Sequence, residues 1–184
     1  MSFARVRALV VIGVLAVAAV VFVVVALVRD TQGDAVADSG CPDGAPLADV
    51  SLPDDPSDVK IKVLNGTNKP GLADNVSGDF KNRGFAMQKA GESKSKFDRI
   101  AIIRYGPKAV GDAQLIKAYF LGEAKPEYNA KRTDDIVEIV VGADYQQLAT
   151  STEVNQSLVE LGEPEVPPGA CAAPEEKAAA DAQD

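Results

Sequence analysis

The pattern of apolar and polar positions changes type several times along the chain, and each change marks an element. Ala8 to Val28 is apolar throughout, 21 residues without a charge. As a helix it is roughly 30 Å long, the thickness of a bilayer's hydrocarbon core. After a polar stretch, Val59, Ile61 and Val63 alternate with Lys60 and Lys62, the mark of a half-buried strand. Leu72, Ala73, Val76 and Phe80 then recur at helical spacing up to Gly84. Phe85–Ala90 and Ile100–Tyr105 read as two strands joined by the polar GESKSKFDR. Val110, Ala113, Ile116 and Phe120 mark a second helix that starts near Pro107 and ends at Gly122. Ile136–Val141 is a nearly all-apolar strand, expected at the centre of a sheet. Thr150 with Glu153 has the form of a capping box, and Val154, Leu158 and Leu161 line a short last helix.

The order is therefore β-α-β-β-α-β with an appended helix. We expect an α/β (α+β) domain of the split βαβ, ferredoxin-like kind, with helices on one face of a four-stranded sheet; an α/β sandwich with another strand order fits the same pattern. The chain divides into a cytoplasmic N-terminus (1–7), a transmembrane helix (8–28), an acidic linker (29–57), the folded domain with its appended helix (58–162), and an acidic, partly disordered tail (163–184). No internal repeat is visible.

Charge supports this division. The chain carries 19 Lys/Arg and 27 Asp/Glu, a net charge of −8, which argues against nucleic acid as the main partner. Asp58–Asp144 is nonetheless mildly basic, with 15 Lys/Arg against 12 Asp/Glu, and the acids concentrate in the two arms. Arg5 and Arg7 precede the apolar run, while Asp30, Asp34 and Asp38 follow it. By the positive-inside rule the N-terminus is cytoplasmic and the domain extracytoplasmic, on a single-pass anchor in the cell membrane. A cleaved signal peptide is the rival reading: Ala35-Val36-Ala37 resembles a cleavage site, but the apolar run is longer than a signal core. Asp38-Ser39-Gly40 before Cys41 lacks the aliphatic residue of a lipidation motif. As a flexible coil the linker would hold the domain on the order of 30 Å from the bilayer.

Cys41 and Cys171 are the only cysteines and bracket the folded region. Outside the membrane, where disulfides persist, a bridge between them is the expectation; an intermolecular or redox thiol and two free cysteines are the alternatives. The loop closed is about 130 residues, so chain entropy alone sets an upper value of roughly 5 kcal/mol.

Histidine is absent. That excludes Ser-His-Asp and Cys-His catalysis and His-ligated metal sites, and we expect no catalytic, cofactor or metal residues. Asn65, Gly66, Thr67 and Gly71 lie in the NGTNKPG loop between strand and helix. Its backbone N–H groups either cradle an anionic or sugar group or serve turn geometry alone. Lys81, Arg83, Lys89, Lys94, Lys96 and Arg99 form a basic cluster, to be read as a surface for anionic polymers or as a solvated face diluted by Asp79, Glu92 and Asp98. Asp134 and Asp135 are adjacent carboxylates after Thr133; neighbours on a strand point to opposite faces, which favours turn chemistry over acid–base work. Tyr105, Tyr119, Tyr128 and Tyr145 offer sugar-stacking surfaces or core packing.

The pattern VLNGT–x3–GLA at Val63–Ala73, the Arg83-Gly84-Phe85 that closes the helix, and the late DIVEIVVGADY at Asp135–Tyr145 resemble the LytR C-terminal domain family over about residues 58 to 145. The resemblance implies a role at the cell envelope. Some members carry this domain behind a LytR–CpsA–Psr enzyme that attaches polymers to peptidoglycan. That enzymatic domain has no counterpart in this sequence, so no catalytic residue carries over. The expected function is non-enzymatic binding of a cell-wall polymer or envelope protein. The alternatives are a protein-contact accessory of such ligases and, last, a hydrolase using carboxylates.

Overall fold

The computed structural model describes residues 41–42 and 44–173. The chain divides into two units, Met1–Pro42 and Asp43–Asp184, and the fold below is that of the second. The predicted membrane segment lies outside the described residues; among those, no helix is long and apolar enough to cross a membrane.

Among the described residues eight strands and three α-helices follow in order: β1 (Leu47–Ala48), β2 (Lys60–Asn65), α1 (Leu72–Asn82), β3 (Ala86–Met87), β4 (Gly91–Glu92), β5 (Ala101–Tyr105), α2 (Val110–Tyr119), β6 (Lys125–Tyr128), β7 (Ile136–Val141), α3 (Ser151–Leu161) and β8 (Cys171–Ala172). The main sheet runs β3-β2-β7-β5-β6, with β4 also paired to β2. β2 is parallel to β3, β4 and β7; β5 is parallel to β6 and antiparallel to β7. The apolar β7 is central, as its sequence predicts.

The strand order corrects the split βαβ expectation. In a split unit another strand intervenes between the two strands that a helix connects. Here α1 returns the chain directly beside β2, where Ala86 N–H donates to the Val59 carbonyl and Gln88 N–H to that of Ile61. A second unsplit unit, β5-α2-β6, mirrors the first on the other side of β7. Its strands run the opposite way and it steps to the opposite edge, so two right-handed crossovers put both helices on one face. There Phe80 of α1 meets Tyr119 at the end of α2 and Phe120 just after it, at ring-centroid distances of 5.6 and 6.3 Å, over Ile61, Val63, Ile103, Val137 and Ile139.

The other face carries a row of alternating charge. Lys62, Glu138, Arg104 and Glu127 stand in register across four strands. Arg104 bonds Glu127 at 2.9 Å and Glu138 at 3.3 Å, and these carboxylates hold its guanidinium above its ordinary pKa, against the effect of burial. An alternating row of this kind fits a sheet face open to water.

β6, a short strand absent from the sequence expectation, forms one edge of the sheet. Asn129 N–H donates to the Tyr105 carbonyl. In a parallel pair, alternate residues face opposite edges, so residues 125, 127 and 129 face β5 while Pro126 and Tyr128 face outward. Proline stands where an outward N–H would be. The opposite edge is interrupted between β3 and β4.

α3 has the predicted capping box: Glu153 N–H donates to Thr150 Oγ1, and Thr150 N–H to Glu153 Oε2 at 2.7 Å. Its Val154, Leu158 and Leu161 pack on Leu115, Ala118 and Tyr119 of α2.

Two flanks differ from their expectation. Within the expected linker, Ala48 is fully buried and β1 pairs with β8 in parallel. Asp49 N–H donates to the Pro107 carbonyl, and Gly111 N–H to that of Asp49. A Cβ at Gly111 would stand 1.8 Å from the Ser51 carbonyl oxygen, so a residue without a side chain lets this strap lie on the start of α2. Within the expected tail, Pro167 is buried and residues 171–172 form β8.

Candidate functional site

The loops that follow β2, β4 and β7 gather at one end of the sheet, outside the carboxyl ends of its parallel strands, where open α/β folds bind ligands. Asn65 organises this end. Its Oδ1 accepts from the Thr67 N–H (2.9 Å) and Oγ1 (2.8 Å), and its Nδ2 donates to the Lys69 carbonyl (2.8 Å) and to Glu92 (3.3 Å). Lys69 N–H donates to Thr67 Oγ1 at 3.0 Å. Gly66 N–H donates to the Val141 carbonyl at 2.8 Å. Gly71 takes a left-handed conformation, φ 75°, at the start of α1. All four predicted loop residues thus lie together, and Asn65, Gly66 and Thr67 are tied into the fold by their own hydrogen bonds.

The segment after β4 crosses this end. Phe97 N–H donates to the Gly66 carbonyl, Ala143 N–H to that of Phe97, and Gly142 N–H to that of Ile100. It carries exposed Lys94, Lys96 and Arg99, with Lys96 Nζ bonded to the Thr67 carbonyl. Lys89 and Lys81 are also exposed. Arg83 has a structural role instead: its guanidinium lies 5.2 Å from the Tyr119 ring centroid, and Nη1 donates to the Ala149 carbonyl at 2.5 Å.

A second concavity, a cleft of about 440 Å³, opens between α2, the β5–β6 edge and the segment that leads to β8. Its walls include Ile103, Tyr105, Gln114, Lys117, Pro126 and Tyr128, and Glu163–Pro168 passes along one side. The four tyrosines separate accordingly. Tyr105 and Tyr128 line this cleft with ring centroids 5.7 Å apart. Tyr119 packs on Phe80 and Phe85, and Tyr145 on Phe120. Burial raises the hydroxyl pKa of Tyr105, Tyr128 and Tyr145, in the last to about 12.

The paired carboxylates have structural partners. Asp134 accepts from Arg132 (2.8 Å) and from the Ile136 N–H (3.2 Å), and Asp135 pairs with Lys60 at 2.7 Å. These contacts hold both acids below the ordinary carboxylate range. Among the described residues no cluster of His, Cys, Asp and Glu has the form of a metal site. Cys41 and Cys171 are both disulfide-bonded.

Asp112, in the first turn of α2, was not singled out by sequence. Burial, then the charges of Asp49, Asp135 and Asp58, push its carboxyl up to about 6 despite the nearby Lys60. The native state therefore keeps a proton that the unfolded chain releases near 3.8, so stability falls as pH rises between those values and the full cost is present above about 6. That interval corresponds to roughly 3 kcal/mol, reduced to about 1–2 kcal/mol by solvent access. Asp112→Asn is expected to raise stability by that amount at pH 7.5 and to leave it unchanged near pH 3.5, as measured by urea unfolding at the two pH values.

The cleft segment Glu163–Pro168 escaped sequence reasoning because its acidic, proline-rich composition matches a disordered tail; the Pro167-Pro168 pair before a cysteine was its one local signal.

Residues 58–145 match the family described as LytR cell envelope-related transcriptional attenuator. The cell envelope integrity protein Cei of Mycobacterium tuberculosis is 28% identical over 109 residues, 57% of this chain and 50% of that protein. The chain thus spans about half the length of that curated relative. The soluble domain of a secreted protein of Mycobacterium marinum superposes with a TM-score of 0.49 at 23% identity, over 66% of this chain and 83% of that one.

Proposed function

We propose, from the premise that residues 58–145 form a domain of the LytR C-terminal family, that this cell envelope-related protein binds an envelope polymer or protein without catalysing a reaction on it. The family match over the whole β2–β7 domain carries the reading. The absence of histidine and the structural ties of Asp134 and Asp135 support a non-catalytic role. The sequence's apolar run at 8–28 and the disulfide support an anchored, extracytoplasmic domain. In this reading Lys94, Lys96 and Arg99 meet an anionic polymer at the carboxyl end of the sheet.

Sedimentation of the full-length, detergent-solubilised protein with isolated cell-wall sacculi tests this. Pelleting should weaken with added salt, as the Debye length drops from about 30 Å at 0.01 M to about 8 Å at 0.15 M. Lys94→Glu combined with Arg99→Glu should reduce it further, since both side chains are exposed. Absence of pelleting, with crosslinking in cells to a membrane enzyme, would replace polymer binding by the accessory role. Turnover of wall polymer would overturn the non-catalytic reading.

A further inference from the structure

The cleft beside β6 lies away from the basic loop, and its walls have a distinct chemistry. Two tyrosines face it, and Pro126, Ile103 and Ala113 provide apolar surface. Interspersed with these are one lysine, one glutamine and two glutamates: Lys117, Gln114, Glu163 and Glu165. A lipid chain would meet charged groups on this lining, where continuous apolar walls are needed. A phosphorylated or carboxylated ligand would face two carboxylates against a single ammonium group. A sugar chain matches both halves of the lining: the C–H faces of pyranose rings pack on aromatic surface, and their hydroxyls donate to carboxylates and accept from ammonium or amide groups. The volume, about 440 Å³, falls in the range of small-ligand sites and suits one or two sugar rings.

The glutamates are placed by the fold. Gln114 Nε2 donates to the Gly162 carbonyl at 3.1 Å, which fixes the start of the segment. β8 pairs with β1 and fixes its end. Three prolines between these points restrict the backbone. The wall is therefore built before a ligand arrives, which lowers the ordering cost of binding.

We propose that this cleft is a binding site for an uncharged glycan, with Tyr105 and Tyr128 against the sugar rings and Glu163, Glu165 and Lys117 on their hydroxyls. The proposal rests on the reading that the protein binds an envelope polymer, and it assigns the neutral part of that polymer to a site separate from the basic loop.

The test uses the full-length protein in detergent and a β-1,4-linked tetramer of N-acetylglucosamine as probe, titrated by calorimetry at low and high salt. Saturable binding that is unchanged by salt is expected. Tyr105→Leu should weaken it about 3- to 10-fold, the size of an aromatic contact. The exposed Glu165→Gln, which leaves the core untouched, should also weaken it. Circular dichroism confirms that each variant is folded. Absence of binding by the tetramer, with salt-sensitive sacculus pelleting intact, would overturn the cleft assignment alone. Binding that survives both Tyr105→Leu and Glu165→Gln would place the glycan elsewhere and overturn it as well. Loss of tetramer binding and sacculus pelleting together in the unmodified protein would defeat both proposals.

Discussion

Phe80→Ala is expected to destabilise the domain by about 3–5 kcal/mol, the range for removing a large buried aromatic side chain. Phe80 is fully buried where α1, α2 and the sheet converge. Its ring meets Phe85 edge-on at 5.3 Å and tilts against Tyr119 and Phe120. Truncation loses the transfer term and opens a cavity. The neighbouring rings sit at the end of α2 and in the turn after α1, both pinned by their own hydrogen bonds, so collapse into the cavity is restricted. Small domains carry about 5–15 kcal/mol in total, so this one change removes a large share. Urea unfolding at pH 7.5 measures it. A loss below about 1 kcal/mol would show that the ring cluster is not the packing centre described above, and Phe80→Leu should cost clearly less than alanine.

Replacing Cys41 and Cys171 by serine is expected to cost about 2–5 kcal/mol, the usual range for losing a native disulfide. The effect is in part on the unfolded chain, which gains freedom when a loop of about 130 residues is released. In the native state it should be local. Cys171 sits in β8, opposite Leu47 of β1, in a separate two-stranded sheet of two residues a side. Amide exchange should therefore quicken first at Ala48, Asp49, Cys171 and Ala173, while β2 and β7 keep their protection. Uniform loss of protection across the sheet would contradict the assignment of the clasp as a peripheral unit.

The parts of this fold legible in the sequence are those that local periodicity and local chemistry determine. β7 reads as central because a nearly all-apolar run, broken only by Glu138, has little to give to water. α3 reads as a helix from Thr150 and Glu153, whose reciprocal bonds span three residues. Strand order is not of this kind. Whether β3 returns beside β2 or leaves a gap depends on contacts between distant residues, and β2 looks the same in either case. β6 is hidden because Lys-Pro-Glu-Tyr has the composition of a turn and only its pairing with β5 makes it a strand. The strap at Asp49–Leu52 is hidden because its docking depends on Gly111, some sixty residues away. At the candidate sites, Asn65 and Thr67 were legible as a loop, and the structure adds their reciprocal hydrogen bonds. The basic cluster was legible as composition, but only the fold distinguishes Arg83, turned onto Tyr119, from the exposed Lys94 and Arg99. The division of the tyrosines into two that line a cleft and two that pack inside had no sequence signal.

Pro126 has a meaning beyond its own strand. A sheet with an unguarded margin invites the same margin of a neighbouring molecule. With one outward donor deleted at Pro126 and the far margin cut into two-residue pieces at Ala86–Met87 and Gly91–Glu92, neither side offers a run of hydrogen bonds long enough to continue the ladder. Among the described residues the main sheet therefore presents no ready template for edge-to-edge strand pairing between copies.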